Sequence, residues 1–172
     1  EYLKGKRIVH ITTVHPVFDN RIFFKECASL AQLGLDITLI AFCEKDFEKD
    51  GVKVKAIDVA KPSRMSKIRR AYHLALDLDA DVYHLHDPEL LLIKPFLKAK
   101  GKVVVYDMHE HFSQQILIKP WIPNLLRKPL RLIFSIYERL LLGKGPVVFA
   151  EDDYSKHYPY VNNFSTVLNL PN

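Results

Sequence analysis

Glycine is scarce in this chain, and its positions matter more than its number. The six glycines stand at 5, 34, 51, 101, 143 and 145. None follows the first apolar run, where a dinucleotide-binding GxGxxG turn would bring backbone against a pyrophosphate. Gly5, Gly101 and Gly143 each precede a lysine, but Arg, Val and Gly come next instead of Ser or Thr, which excludes a Walker phosphate loop. There is no GxSxG elbow for a serine nucleophile. Cysteine is nearly absent: Cys27 and Cys43 form neither a CxxC pair nor a zinc-ligand spacing, so reduced thiols in a cytosolic protein are the expectation. No apolar run reaches the roughly 18 residues needed to span a bilayer. The opening EYLKGKR is not read as a signal peptide.

What is present is ordinary globular material. At 172 residues, 48% hydrophobic and 26% charged, the chain is read as one domain with a core that needs no metal or disulfide staple. The net charge of +5 suits anionic partners such as phosphates, nucleotides or acidic lipid. No RNA- or DNA-binding motif accompanies it, and no nucleic-acid partner is expected.

Apolar runs alternate with helical patterns along the whole length. Strands are expected at 6–13 (KRIVHITT), 35–43 (LDITLIAFC), 52–58, 81–86, 102–107 (KVVVYD), 146–150 and 166–168. Helices are expected at 21–33, 63–78, 88–100 and 125–142, with Gly34 and Gly101 as stops and Pro88 in a first turn. Strand-helix alternation calls for a parallel sheet with right-handed crossovers. The fold class is therefore α/β, a Rossmann-like parallel sheet flanked by helices.

In such sheets ligands bind beyond the carboxyl ends of the strands, and that is where the polar clusters fall. His15, Asp19 and Arg21 follow the first strand; His86, Asp87 and Glu89 follow the 81–86 strand. Asp107, His109, Glu110 and His111 follow the 102–107 strand, and Glu151, Asp152 and Asp153 the next. Taken singly, many have plainer explanations. Asp19 or Asn20 can cap the 21–33 helix, Asp87 before Pro88 can cap the following one, and Glu89 and Glu110 suit first turns. His84, in mid-strand, reads as a packed core histidine. His15, His86 and His109 have no capping role, and the coincidence of clusters on one edge points to a site.

Metal ligation is the competing chemistry. His84, His86, Asp87, Asp107, His109, Glu110 and His111 are suitable ligand types, and HxH on a strand sets both imidazoles on one face. No HExxH accompanies them, so a metal-dependent hydrolase stands as an alternative and no metal site is assigned.

HITTVHPVFDNRIFFKECASLAQLG, DVYHLHDPELL and KVVVYDMHEHF, in that order, resemble the amino-terminal domain of bacterial family-4 glycosyltransferases, the GT-B enzymes of surface polysaccharide biosynthesis. The resemblance runs to the closing VLNLPN. It implies the amino-terminal half of a GT-B fold. The implied activity is retaining, metal-independent sugar transfer from a nucleotide-sugar donor to a glycan or lipid-linked acceptor, with no cofactor. By the same resemblance His109 contacts the donor sugar near the reacting carbon, as the catalytic position. The stretch from His15 through Asp19 to Arg21 faces donor phosphates and acceptor, and His86, Asp87, Glu89 and Glu110 shape the cleft. The family's Glu-x7-Glu pair has no counterpart, since no two glutamates here are eight positions apart. The expectation is that 1–172 is the acceptor-side domain, that a carboxy-terminal nucleotide-sugar domain lies outside this chain, and that the fragment alone is inactive. A non-catalytic sugar- or nucleotide-binding module is the third reading.

Residues 119–144 read KPWIPNLLRKPLRLIFSIYERLLLGK. Cations beside Trp121 and leucines suit a helix lying on anionic lipid, which agrees with a cytoplasmic protein peripheral at the inner membrane face. For the later half of this segment, a core helix with an exposed basic side is the competing expectation.

Overall fold

The computed structural model describes residues 5–143 and 145–168; Lys144 and the end of the VLNLPN stretch lie outside them. The chain divides into two compact units, Glu1–Val105 and Tyr106–Asn172.

Unit one is built on β1 (Arg7–Ile11), β2 (Asp36–Ala41), β3 (Phe47–Lys49), β4 (Val52–Ala56) and β5 (Val82–Leu85), in the order β3-β4-β2-β1-β5. The pairings β4-β2, β2-β1 and β1-β5 are parallel. β1 and β2 are buried along almost their whole length, the signature of strands covered on both faces. An antiparallel edge that the sequence reading did not anticipate pairs β3 with β4. The turn joining them puts Asp50 (φ 53°) and Gly51 (φ 76°) in the left-handed region, as a two-residue hairpin requires.

Between β1 and β2 the backbone does not run as one α-helix. Asn20–Cys27 is a π-helix and Ala28–Gln32 continues as α1. The Asp19 carboxylate caps it by accepting from the Arg21 and Ile22 amides, at 2.9 and 3.0 Å, which bears out one of the two caps weighed for that helix. Ile22, Phe23, Cys27 and Ala28 pack with Ile8, Ile37, Leu39, Val52 and Val54 in the core. α2 (Arg64–Leu78) begins with a capping box in which Ser63 and Ser66 bond each other's backbone. Its end is tied to β5 by the buried Tyr83 hydroxyl, which donates to Ala75 O and accepts from Ala80 N. The expected 88–100 helix divides into a 3-10 turn (Pro88–Leu92) and α3 (Lys94–Ala99).

β6 (Val103–Met108) ends unit one with its first three residues and opens unit two with its last three. In unit two, β6, β7 (Val147–Phe149) and β8 (Phe164–Thr166) pair in parallel. β8 lies two residues earlier than the sequence suggests. The irregular 108–123 stretch contains α4 (Phe112–Gln115); α5 (Asn124–Leu142) and α6 (Tyr154–His157) complete the unit. Around Phe149 and Tyr154, Tyr158 and Phe164 form an aromatic cluster.

Candidate functional site

Unit one brings four candidate residues together at the carboxyl ends of β1 and β5. Asp87, one residue past His86, is 1% exposed. Its Oδ2 accepts from the Thr12 and Thr13 hydroxyls, at 3.0 and 3.1 Å, and from the amides of Thr13 and Val14. This corrects the expectation that Asp87 caps the next helix: it makes no side-chain cap there. Its charge is satisfied across the strands by the loop after β1, because consecutive amides at a strand end form an anion-binding concavity. Those amides therefore hold a protein carboxylate.

Around Asp87 lie the other members. His15 Nε2 stands 3.4 Å from Asp87 Oδ1, and His15 Nδ1 stands 3.6 Å from Asp19 Oδ2. Glu89 Oε1 is 3.2 Å from the Thr13 hydroxyl. Sequence reasoning missed Lys67 of α2, whose ammonium donates to the Thr13 carbonyl at 3.3 Å and sits 3.9 Å above the Phe42 ring. No motif marks it; only the packing of α2 brings it there. Three carboxylates, an imidazole and one ammonium make an edge rich in acceptors. Such a lining matches a hydroxyl-bearing ligand such as a sugar better than a bare phosphate.

Arg21 points elsewhere. It is buried, and its Nε lies 3.1 Å from Glu26 Oε1. The i→i+5 geometry of the π-helix sets residues five apart on one side; a regular α-helix would splay 21 and 26. Glu26 in turn faces three imidazoles. Its Oε2 is 3.8 Å from His10 Nδ1, 3.8 Å from His84 Nδ1 and 3.9 Å from His86 Nε2. His10 Nδ1 and His86 Nε2 are 2.9 Å apart, so one of them carries the proton between them. The pairing of His10 with His84 across β1 and β5, and the one-face spacing of His84 and His86, create this group. The sequence reading singled out His84 and His86 but neither His10 nor Glu26. The three separations to Glu26 are too long for hydrogen bonds, and the four residues each offer one ligand atom within 4.8 Å of the others, residue types that suit a divalent ion. His10 and His84 also line a cavity of about 480 Å³ with Ile8, Leu30, Val82 and Val105.

In unit two, His109 follows β6. Its Nε2 is 3.4 Å from Asp107 Oδ2, and its carbonyl accepts from the Tyr154 hydroxyl at 3.2 Å. A carboxylate on one ring nitrogen sets the tautomer and orientation of an imidazole. Glu110 accepts from Gln115 Nε2 at 2.7 Å. His111 borders a separate cavity of about 440 Å³ with Arg131, Glu138, Arg139 and His157. Burial, then His157 and Arg131, push the His111 pKa down. Burial raises that of Glu138 to about 7, partly offset by the Tyr158 and Ser113 hydroxyls. Among the acids after β7, Asp153 pairs with Lys156 at 2.6 Å in solvent.

No protein-family model matches the sequence, and no curated protein does either. Among solved structures, the chain is similar to a sucrose-phosphate synthase from Thermosynechococcus elongatus, with a TM-score of 0.71 at 9% identity, over 97% of this chain and 49% of that one. The chain thus spans about half the length of that protein. The fold is a mostly parallel α/β sheet flanked by helices, matching a Rossmann-like amino-terminal domain of the GT-B type. Among the described residues no helix is long and apolar enough to cross a membrane.

Proposed function

We propose that the chain is the acceptor-side half of a nucleotide-sugar-dependent glycosyltransferase, of the family-4 type that its motifs resemble. In this reading it works in the cytoplasm at the inner membrane face, on a glycan or lipid-linked acceptor of surface polysaccharide synthesis. Transfer proceeds with retention and without a metal, and a second domain supplies most of the nucleotide contacts. The observation that carries the reading is the Asp87-centred edge in unit one. There Glu89, Asp19 and His15 offer two carboxylates and one imidazole at the carboxyl ends of β1 and β5, on a loop that the buried Asp87 holds in place, where this fold binds ligands. Such groups orient sugar hydroxyls. The positive charge that a departing diphosphate needs comes from elsewhere, because Arg21 is turned toward Glu26. His109, oriented by Asp107, is the residue assigned to the donor sugar.

The test is turnover of a panel of nucleotide sugars by the complete protein in EDTA, read by mass spectrometry. Nucleotide release with sugar transferred to acceptor supports the reading. Binding without turnover points to a sugar- or nucleotide-binding module instead.

A second reading rests on a single observation, the convergence of His10, Glu26, His84 and His86. If these hold a divalent ion, the protein is a metal-dependent hydrolase, with the 480 Å³ cavity beside His10 and His84 as its entrance. Silence in EDTA, with hydrolysis restored by zinc and lost again in Glu26→Gln, selects it.

A further inference from the structure

α5 is turned the opposite way from an ordinary surface helix. Such helices bury their apolar stripe and expose the polar one. Here Leu125 is 88% exposed, Leu140 73%, and Leu132 and Ile133 63% each, while Glu138 is 1% exposed. Positions 125, 129, 132, 133, 136 and 140 recur at three- and four-residue intervals, so the exposed side chains share one face. The face continues into the preceding turn, where Ile118 and Trp121 are 77% and 72% exposed. Of the 21 large hydrophobics exposed among the described residues, nine lie between 118 and 140. The expectation of a core helix in the later half of this segment is therefore corrected: the outward side is the apolar one.

The charges beside this face have one sign. Lys119, Lys128, Arg131 and Arg139 flank it, and Glu138, the only acidic residue between 118 and 143, is buried. Lys119 stacks on Trp121, 5.0 Å from the ring centre. At 19 residues, α5 is about 28 Å long, and with this charge it cannot cross a bilayer. A patch this large marks an interaction surface. Cations without exposed acids, set around apolar side chains and a tryptophan, complement anionic lipid. A protein partner covering it would need an acidic rim around an apolar centre; a bilayer of anionic phospholipid presents that arrangement as its ordinary surface.

We propose that α5 and the turn before it dock flat on an anionic phospholipid bilayer. Leu125, Leu132, Ile133, Ile136 and Leu140 enter the acyl boundary, and the flanking cations meet the phosphates. Leu132 and Ile136 lie on both the apolar face and the wall of the cavity that holds Arg131 and Arg139. A lipid headgroup beside the helix thus meets two guanidiniums. The inference uses unit two alone and stands whether or not sugar transfer is the reaction.

Trp121, the single tryptophan, reports on this directly. The protein is mixed with phosphatidylcholine vesicles or with phosphatidylcholine–phosphatidylglycerol vesicles at low salt, without substrate, and followed by flotation and tryptophan emission. Flotation with the anionic vesicles only, a blue shift, and quenching by brominated acyl chains are expected. Lys119→Gln and Lys128→Gln should each weaken partitioning about fivefold. Ile133→Asp with Leu140→Asp should abolish it while leaving the melting temperature unchanged, because both positions are in solvent. Absence of flotation with anionic vesicles, or flotation indifferent to the aspartates, overturns the proposal. A monomer–dimer equilibrium in sedimentation that the aspartates disperse also overturns it, by making the face a contact between two copies of the chain.

Discussion

Asp87 and Thr13 join the carboxyl ends of β5 and β1: both the amide and the hydroxyl of Thr13 donate to Asp87 Oδ2. With Thr12 and Val14 completing the set, one carboxylate organises the loop that also presents His15. Replacing Asp87 by Ala strands these buried donors and should cost about 3 kcal/mol. The check is the midpoint of urea unfolding at unchanged slope; a midpoint equal to wild type would show that the loop is held by other means.

Arg21 and Glu26 form a buried pair. Removing one member of such a pair exposes the other's desolvation cost, whereas removing both with apolar replacements often does not. Glu26→Ala should destabilise by about 4 kcal/mol, and Arg21→Met with Glu26→Leu should recover most of it. Thermal melts of the single and the double variant decide this. Equal losses in single and double variants would refute the pair's role.

Glu138 links stability to pH. Its folded pKa is raised by burial from 4.5 to about 7, so the folded state holds this proton more tightly than the unfolded chain. Its stabilising effect is complete below pH 4.5 and is lost as pH rises to about 7. The decline is on the order of 3 kcal/mol. Glu138→Gln should flatten this decline and leave the protein more stable than wild type at pH 8, measured by urea unfolding across the range. An unchanged pH profile would count against it.

Asp19 caps the π-helix through two amides. Asp19→Ala should cost about 1 kcal/mol, and Asp19→Asn much less, since the amide oxygen can still accept. A difference scan of the two variants by calorimetry tests it.

His109 is the residue on which the proposed transfer chemistry depends. In the complete protein His109→Ala should lower turnover by about a hundredfold or more with little change in melting temperature. Turnover at the wild-type level would remove it from the reacting centre.

Much of the architecture was legible in the residues. The buried runs IVHI and ITLIA, the Asp19 cap and the Gly34 stop place strands and helices in order, because backbone preference and hydrophobic period are local properties. The carboxyl-edge clusters were legible too, since strand ends follow from strand positions. Local pattern missed the β3 edge strand, which contributes three residues and gains its identity by pairing with β4. It also gave Asp87 a capping role, because the donors of Thr12–Val14 are more than seventy positions away in sequence.

What the sequence by itself determined is the α/β order of elements, the cap and turn chemistry, and which residue types stand at strand ends. Only the tertiary structure decided that His10 meets His84 and His86, that a π-helix turns Arg21 inward onto Glu26, and that α5 faces its leucines outward and its glutamate inward. The physical reason is the same in each case. A periodicity tells which side chains share a face, but the direction of that face depends on strand register, helix rotation and the neighbours available to cover it.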